Sequence, residues 1–267
     1  MAIGGISNNV TSSYYKSLQS MGNSQERLSS ALQINRAGDN PAGLAIAEKI
    51  SGQVRGLNQA SSNIQDGISM LRTSEGAMDS SHSIMQRMRE LSIQASNGTL
   101  SDSDRSNIQN EINQLKDQLN TNANQTQFNT IPTNDGTLQN SQIQAGANSG
   151  QTIDITISDT SVAGLGANID VSTQANASSA IADMDQAIRN LSSTRSDVGA
   201  LENRLEQAQQ NSQNAAYQQQ ASESRIRDAD MAKEIMLFKQ SGITLYSAIM
   251  TMATKSKTMG SNLSLLV

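Results

Sequence analysis

The chain has 267 residues, a formal net charge of −5, 36% hydrophobic residues and only 2% aromatic ones. That is poor in apolar side chains for a compact globule, where about 45–50% is usual on a count that includes Gly, and the charge forms no basic stripe for nucleic acid. Cys is absent, which excludes a disulfide framework, thiolate metal ligands and a thiol nucleophile.

Met1 to Asn8 carry neither a basic n-region nor a continuous apolar h-region, so no conventional signal peptide is expected. Tyr14, Leu18, Met21, Leu28 and Leu32 then fall on one helical seam. Gly38-Asp39-Asn40-Pro41 interrupts it, with Asn40 suited to an N-cap and Pro41 to the first helical position. A long second helix follows. Its three-four register runs through Ile50, Val54, Leu57, Ile64, Ile68, Leu71, Met78 and Met85, with Ser61, Glu75 and His82 in the vacant slots. A seven-residue repeat sustained this long predicts coiled-coil-like packing. Asn97-Gly98 ends the helix, and Ser101 with Asp104 predicts the start of a third, whose seam is Ile108, Ile112, Leu115 and Leu119.

The middle changes character. Turn signals at Asn134-Asp135-Gly136 and Asn148-Ser149-Gly150 flank alternating residues Gln151 to Ile157, which predict a half-buried strand. Helical period returns with Ile181, Met184, Ile188, Leu191, Val198 and Leu205. The last seam is Ile235, Phe238, Gly242, Leu245, Ile249, Met252, Ser256, Met259, Leu263 and Leu266. The expected fold is therefore mainly α. Long antiparallel, coiled-coil-like helices come from both ends, and a small β-hairpin-rich insert lies between them. The longest weakly apolar stretch, Gly242 to Ala253, is short of the roughly 20 residues of a membrane span.

Chemistry is sparse. His82 is the sole histidine, so a zinc site would need three carboxylates. No phosphate loop, dinucleotide fingerprint or calcium loop occurs. Pairs such as Asp183 and Asp185 read as a solvated face. No enzyme activity and no cofactor are expected. The methionines read as core filling, since Met adapts to irregular gaps. The end seams would bury little against each other alone, so they are expected to gain order only in an assembly.

Several stretches resemble bacterial flagellins. They include Leu28 to Ile46, Gln65 to Ser69, Thr73 to Ala77, Gln86 to Leu91, Gln125 to Asn129, Gly199 to Leu205 and Ser224 to Glu234. The resemblance implies an inner filament-core domain from 1–41 and 226–267. It implies a helical-bundle domain from 42–130 and 176–225, with 131–175 as a short insert. It implies a subunit that polymerises with itself through Leu18, Met21, Leu28, Leu32, Ile235, Phe238, Leu245, Ile249, Met252, Met259, Leu263 and Leu266. The expected location is the extracellular flagellum, reached through the flagellar export channel with an escorting chaperone. The expected partners there are cap and hook-junction proteins. Arg87, Leu91 and Glu111 match the positions through which vertebrate Toll-like receptor 5 recognises many flagellins. A hook–filament junction protein of the same architecture and a secreted adhesin are the rival readings. The last helix departs from the family pattern, reading Phe238-Lys239-Gln240-Ser241-Gly242-Ile243-Thr244-Leu245-Tyr246.

Overall fold

A computed structural model describes residues 2–264, with side chains described over 10–258. Among the described residues, six helices and four short strands follow in the order α1 (Ala2–Ser30), α2 (Pro41–Ala95), α3 (Asp102–Gln125), β1 (Gln127–Phe128), β2 (Ile131–Pro132), β3 (Ser141–Gln144), β4 (Thr152–Ile155), α4 (Val162–Leu165), α5 (Gln174–Arg227) and α6 (Met231–Ser264). The mainly α expectation holds. The residues fall into two compact units, one of 1–52 with 218–267 and one of 53–217.

In the second unit, α2 turns a regular seam inward. Leu57, Ala60, Ile64, Gly67, Leu71, Ser74, Met78, Ser81, Met85, Met88, Ser92 and Ala95 are all buried. The spacing alternates three and four, as expected, but one column differs from the expectation. Ser61, Glu75 and His82 are only partly buried, and the inward slots belong to Ala60, Ser74 and Ser81 one residue earlier. Helix α5 repeats the device. Ala180, Ala187 and Thr194 alternate with Met184, Leu191 and Val198 in the buried set, whereas Ile181 and Ile188 are partly buried at its border. Small residues every seventh position let the facing helices approach, and the large ones fill the gaps between them.

Helix α3 closes the core with Ile108, Ile112 and Leu119. Ser101 and Asp104 form the expected capping box. The Ser101 hydroxyl and N–H hold the Asp104 carboxyl below its usual range. The buried Arg105 donates from Nε to the Ala95 carbonyl at 3.0 Å and from Nη2 to that of Asn97 at 3.1 Å. A cation thereby satisfies carbonyls that α2 leaves open at its end.

The expected strand forms over Thr152–Ile155 and pairs antiparallel with Ser141–Gln144, Ile143 opposite Ile153. Its inward residues Ile153 and Ile155 join Ile157, Val162, Leu165, Ile169 and Val171 in the same core as the helices. The turn at Asn134 is tied to α2. Asn134 accepts from the Ser74 hydroxyl and donates to the Ser74 carbonyl at 3.3 Å.

In the first unit, α1 ends sooner than its seam predicts. Ala31 takes a left-handed conformation (φ 57°), and Leu32 leaves the helix to make an antiparallel bridge with Asp228. Asn40 caps α2 as expected, accepting from the Gly43 N–H at 2.9 Å. A side chain at Gly43 would stand 2.7 Å from that of Asn40 and 2.9 Å from Ile34.

The small column generates a test. Ala187→Leu adds hydrophobicity to a filled slot and should destabilise by about 1–3 kcal/mol in urea unfolding, whereas leucine at the bordering Ile188 should cost well under that.

Candidate functional site

The antiparallel contact of α1 with α6 brings the two chain ends together. The covered face of α1 follows Val10, Tyr14, Ser17, Met21, Ser24 and Leu28, and that of α6 follows Glu234, Phe238, Ser241, Leu245, Ala248 and Met252. Large and small residues again alternate. Three polar contacts fix the pairing: Ser17 Oγ to Thr244 Oγ1 at 3.0 Å, Ser241 Oγ to Ser20 Oγ at 3.0 Å, and Arg27 Nη1 to Glu234 Oε1 at 3.2 Å.

The last pair is the most consequential, because the Glu234 side chain is 7% exposed and its Oε2 has no hydrogen-bond partner. Removing Arg27 would leave a buried carboxylate unpaired, a costly outcome.

At its inner end the pair is fastened by the two resembling stretches, Leu28–Ile46 and Ser224–Glu234. Gln33 N–H donates to the Arg227 carbonyl at 2.7 Å, Ala229 N–H to that of Ala31 at 3.0 Å, and Arg227 Nε to that of Ile34 at 3.4 Å. Asp230 caps α6, its Oδ1 accepting from Ala232 and Lys233 at 3.0 and 3.1 Å. Asp39 Oδ2 gathers the N–H groups of Asn35 and Arg36, both at 3.0 Å. The Arg36 and Asn35 amides hold the Asp39 carboxyl below the usual carboxylate range.

The predicted assembly residues separate into three groups. Met21, Leu28, Phe238, Leu245 and Met252 are half-buried in the pairing, and Leu32 is half-buried in the bridge rather than on the helix. Leu18, Ile235 and Ile249 are exposed. They correct the expected seam: the inward positions are the smaller Ser17, Glu234 and Ala248 immediately before them. The Met259 and Leu263 side chains and all of Leu266 lie outside the described residues.

The exposed positions have company that hydropathy spacing alone did not reveal. Met231, Met236, Ile243, Tyr246 and Met250 are also exposed on α6, with Ile243 70% and Met236 64% accessible. Helix α6 is thus apolar on two faces, one against α1 and one open.

In the second unit, Arg87 donates from Nη2 to Glu111 Oε1 at 2.8 Å and from Nη1 to Glu90 Oε2 at 3.3 Å. The Glu111 contact, then that of Glu90, raises the Arg87 pKa further above its usual value. Glu90 was missed as a partner, although three-residue spacing on a helix could have suggested it. Leu91, expected beside this pair at the surface, is 1% exposed and packs in the helical core. It occupies the inward face of α2, where a large aliphatic side chain gains most from burial. Asp185, read as solvated, accepts from Arg89 Nε at 2.6 Å. His82 Nε2 lies 3.4 Å from the Gln86 amide nitrogen. Among the described residues no three His, Cys, Asp or Glu side chains converge to hold a metal, and no helix is long and apolar enough to cross a membrane.

A helical chain whose two ends pair through small residues, leaving a second apolar face open, belongs to the class of self-associating structural subunits. The chain is a member of the bacterial flagellin family and a structural subunit of the flagellar filament. Residues 5–139 match the bacterial flagellin N-terminal helical region, and residues 181–266 match the C-terminal helical region. A flagellin of Halalkalibacterium halodurans is 47% identical over 221 residues, covering 82% of this chain and 81% of that one. The flagellar filament 30.7 kDa core protein of Treponema maltophilum is 38% identical over 269 residues, covering 93% and 94%. The crystal structure of Bacillus cereus flagellin superposes with a TM-score of 0.51 at 32% identity, covering 57% of this chain and 88% of that chain.

The Asp39 geometry sets a pH dependence. A carboxyl whose pKa is lowered by folding stabilises the folded state above its unfolded pKa, and the contribution is lost as pH falls through the lowered folded value. Protection of the Asn35 and Arg36 amides in hydrogen exchange should therefore be full near neutrality and lost only as pH falls through that lowered value, below the ordinary aspartate range of about 4. In Asp39→Asn it should be weak at both.

Proposed function

We propose that the open face of α6 is the surface through which copies of this chain assemble. The carrying observation is the set of large apolar side chains left exposed beside an already covered face, Ile235, Ile243, Tyr246 and Ile249 among them. Burying each such side chain against a neighbour gains up to roughly 1.5–3 kcal/mol. A lone helix pair cannot collect that gain. On this reading 1–41 and 226–267 form the filament core, and 42–130 with 176–225 form a helical domain carrying the 131–175 insert. The family resemblance supports unfolded export without a conventional signal peptide. It likewise supports escort by a chaperone and addition beneath a cap on hook-junction proteins.

A second reading concerns the surface of the helical domain. Arg87, Glu90 and Glu111 form an exposed charged cluster at two of the positions that the resemblance links to Toll-like receptor 5. Leu91, the third such position, is buried in the helical core and offers almost no side-chain surface to a partner.

Ile249→Asp should keep the helical content and solubility of the monomer while abolishing filaments in sedimentation and electron microscopy, and deletion of 240–267, which removes most of α6, should likewise leave soluble monomer without filaments. Filaments from either protein would refute the assembly surface. In a reporter cell, Arg87→Ala and Glu111→Ala should each lower receptor activation about tenfold, as loss of a charged interface contact worth roughly 1.4 kcal/mol would. Unchanged activation by both would remove the receptor reading.

A further inference from the structure

The methionines of the helical core and those of the open face of α6 differ in environment, with Met21 and Met252 intermediate in the α1–α6 pairing. Met78, Met85, Met88 and Met184 are 0% exposed and Met70 is 5% exposed, all in the core of 53–217. Met231, Met236 and Met250 on α6 are 41%, 64% and 50% exposed. They lie among the apolar side chains of its open face. The chain has no cysteine, so no thiol competes for a mild oxidant, and thioether oxidation follows exposure.

We propose that Met236 and Met250 form an oxidation-sensitive modification site that controls whether the subunit can assemble. The proposal rests on the open face of α6 being the assembly surface. The oxidant class is a hydroperoxide, hydrogen peroxide being the simplest. The methionine Sδ donates an electron pair to one peroxide oxygen and the O–O bond breaks. An S–O bond forms, and the remaining oxygen leaves as water once proton transfer is complete. Sulfur is oxidised by two electrons and the peroxide is reduced by two. The product is a polar, chiral sulfoxide in place of a flexible apolar side chain.

Two positions make the effect specific. Met236 and Met250 lie seven residues either side of the exposed Ile243, on one stripe of α6. A sulfoxide at either must be desolvated when a neighbouring copy covers the face, and a polar group buried without a partner is penalised. The same change cannot reach Met78 or Met85 without opening the core, so the fold of 53–217 is preserved while the ends lose their adhesion. The modification is reversible, because methionine sulfoxide reductases return the thioether at the expense of a thiol reductant.

The test treats the full-length monomer with dilute hydrogen peroxide, maps each methionine by peptide mass spectrometry and assays polymerisation in parallel. Met236 and Met250 should convert roughly tenfold or more faster than Met78, Met85, Met88 and Met184. Filament yield should fall in proportion to their conversion and return after reductase treatment. Met231→Leu/Met236→Leu/Met250→Leu, three volume-conserving changes, should assemble before and after peroxide alike. Should that variant fail to assemble untreated, recovery of the oxidised wild type by reductase decides the question alone. Equal conversion of core and α6 methionines would overturn the proposal. So would full assembly of the sulfoxide form while Ile249→Asp does not assemble. Assembly of both would overturn the reading of the face and this proposal together.

Discussion

Everything in this chain depends on how closely its helices can approach. Helices α2 and α5 each carry two inward columns, one of large aliphatic or thioether side chains and one of Ala, Gly, Ser or Thr. In α2 the pairs are Ile64 with Ala60, Leu71 with Gly67, Met78 with Ser74 and Met85 with Ser81. In α5 they are Met184 with Ala180 and Leu191 with Ala187. Interaxial distance is set by the side chains at the contact, and these choices keep it short. A chain with 36% hydrophobic residues can afford a packed interior only because none of the large residues has to span a wide gap.

The same rule operates in both units with different results. In 53–217 three long helical segments and the strand-rich insert surround the columns, and the large residues reach full burial. In the other unit α1 and α6 contribute the same alternation, Met21 and Leu28 with Ser17 and Ser24, and Leu245 and Met252 with Ser241 and Ala248. There Met21, Leu28, Leu245 and Met252 stay half-exposed. Two helices cannot enclose what a bundle encloses, and under the proposed assembly the apolar area withheld from the fold would be covered by neighbouring copies.

Sequence spacing made the helical class, the Asn40 and Ser101 caps and the strand at Thr152–Ile155 legible. It placed the second column of several seams one residue late, at Leu18, Ile188 and Ile249, where Ser17, Ala187 and Ala248 turn inward. The reason is that hydropathy weights large residues, whereas the buried slot beside a large residue is selected for smallness, a property that leaves no apolar signal. The early end of α1 was invisible, because an alanine in a left-handed conformation at position 31 carries no sequence mark. Leu91 illustrates the converse. A motif can mark a residue as important without saying whether it faces water or the interior.

A seam that repeats every seven residues has a hidden degeneracy. Sliding one helix along its neighbour by a heptad, about 10 Å at 1.5 Å per residue, brings large residues opposite small ones again and loses only the overhang. Apolar packing alone therefore describes a ladder of near-equivalent registers. The polar contacts between α1 and α6 break that translational symmetry, since Arg27 has a carboxylate to meet only at Glu234, and Ser17 and Ser20 find their hydroxyl partners in the same register. These hydrophilic groups act as the index marks on an otherwise smooth scale.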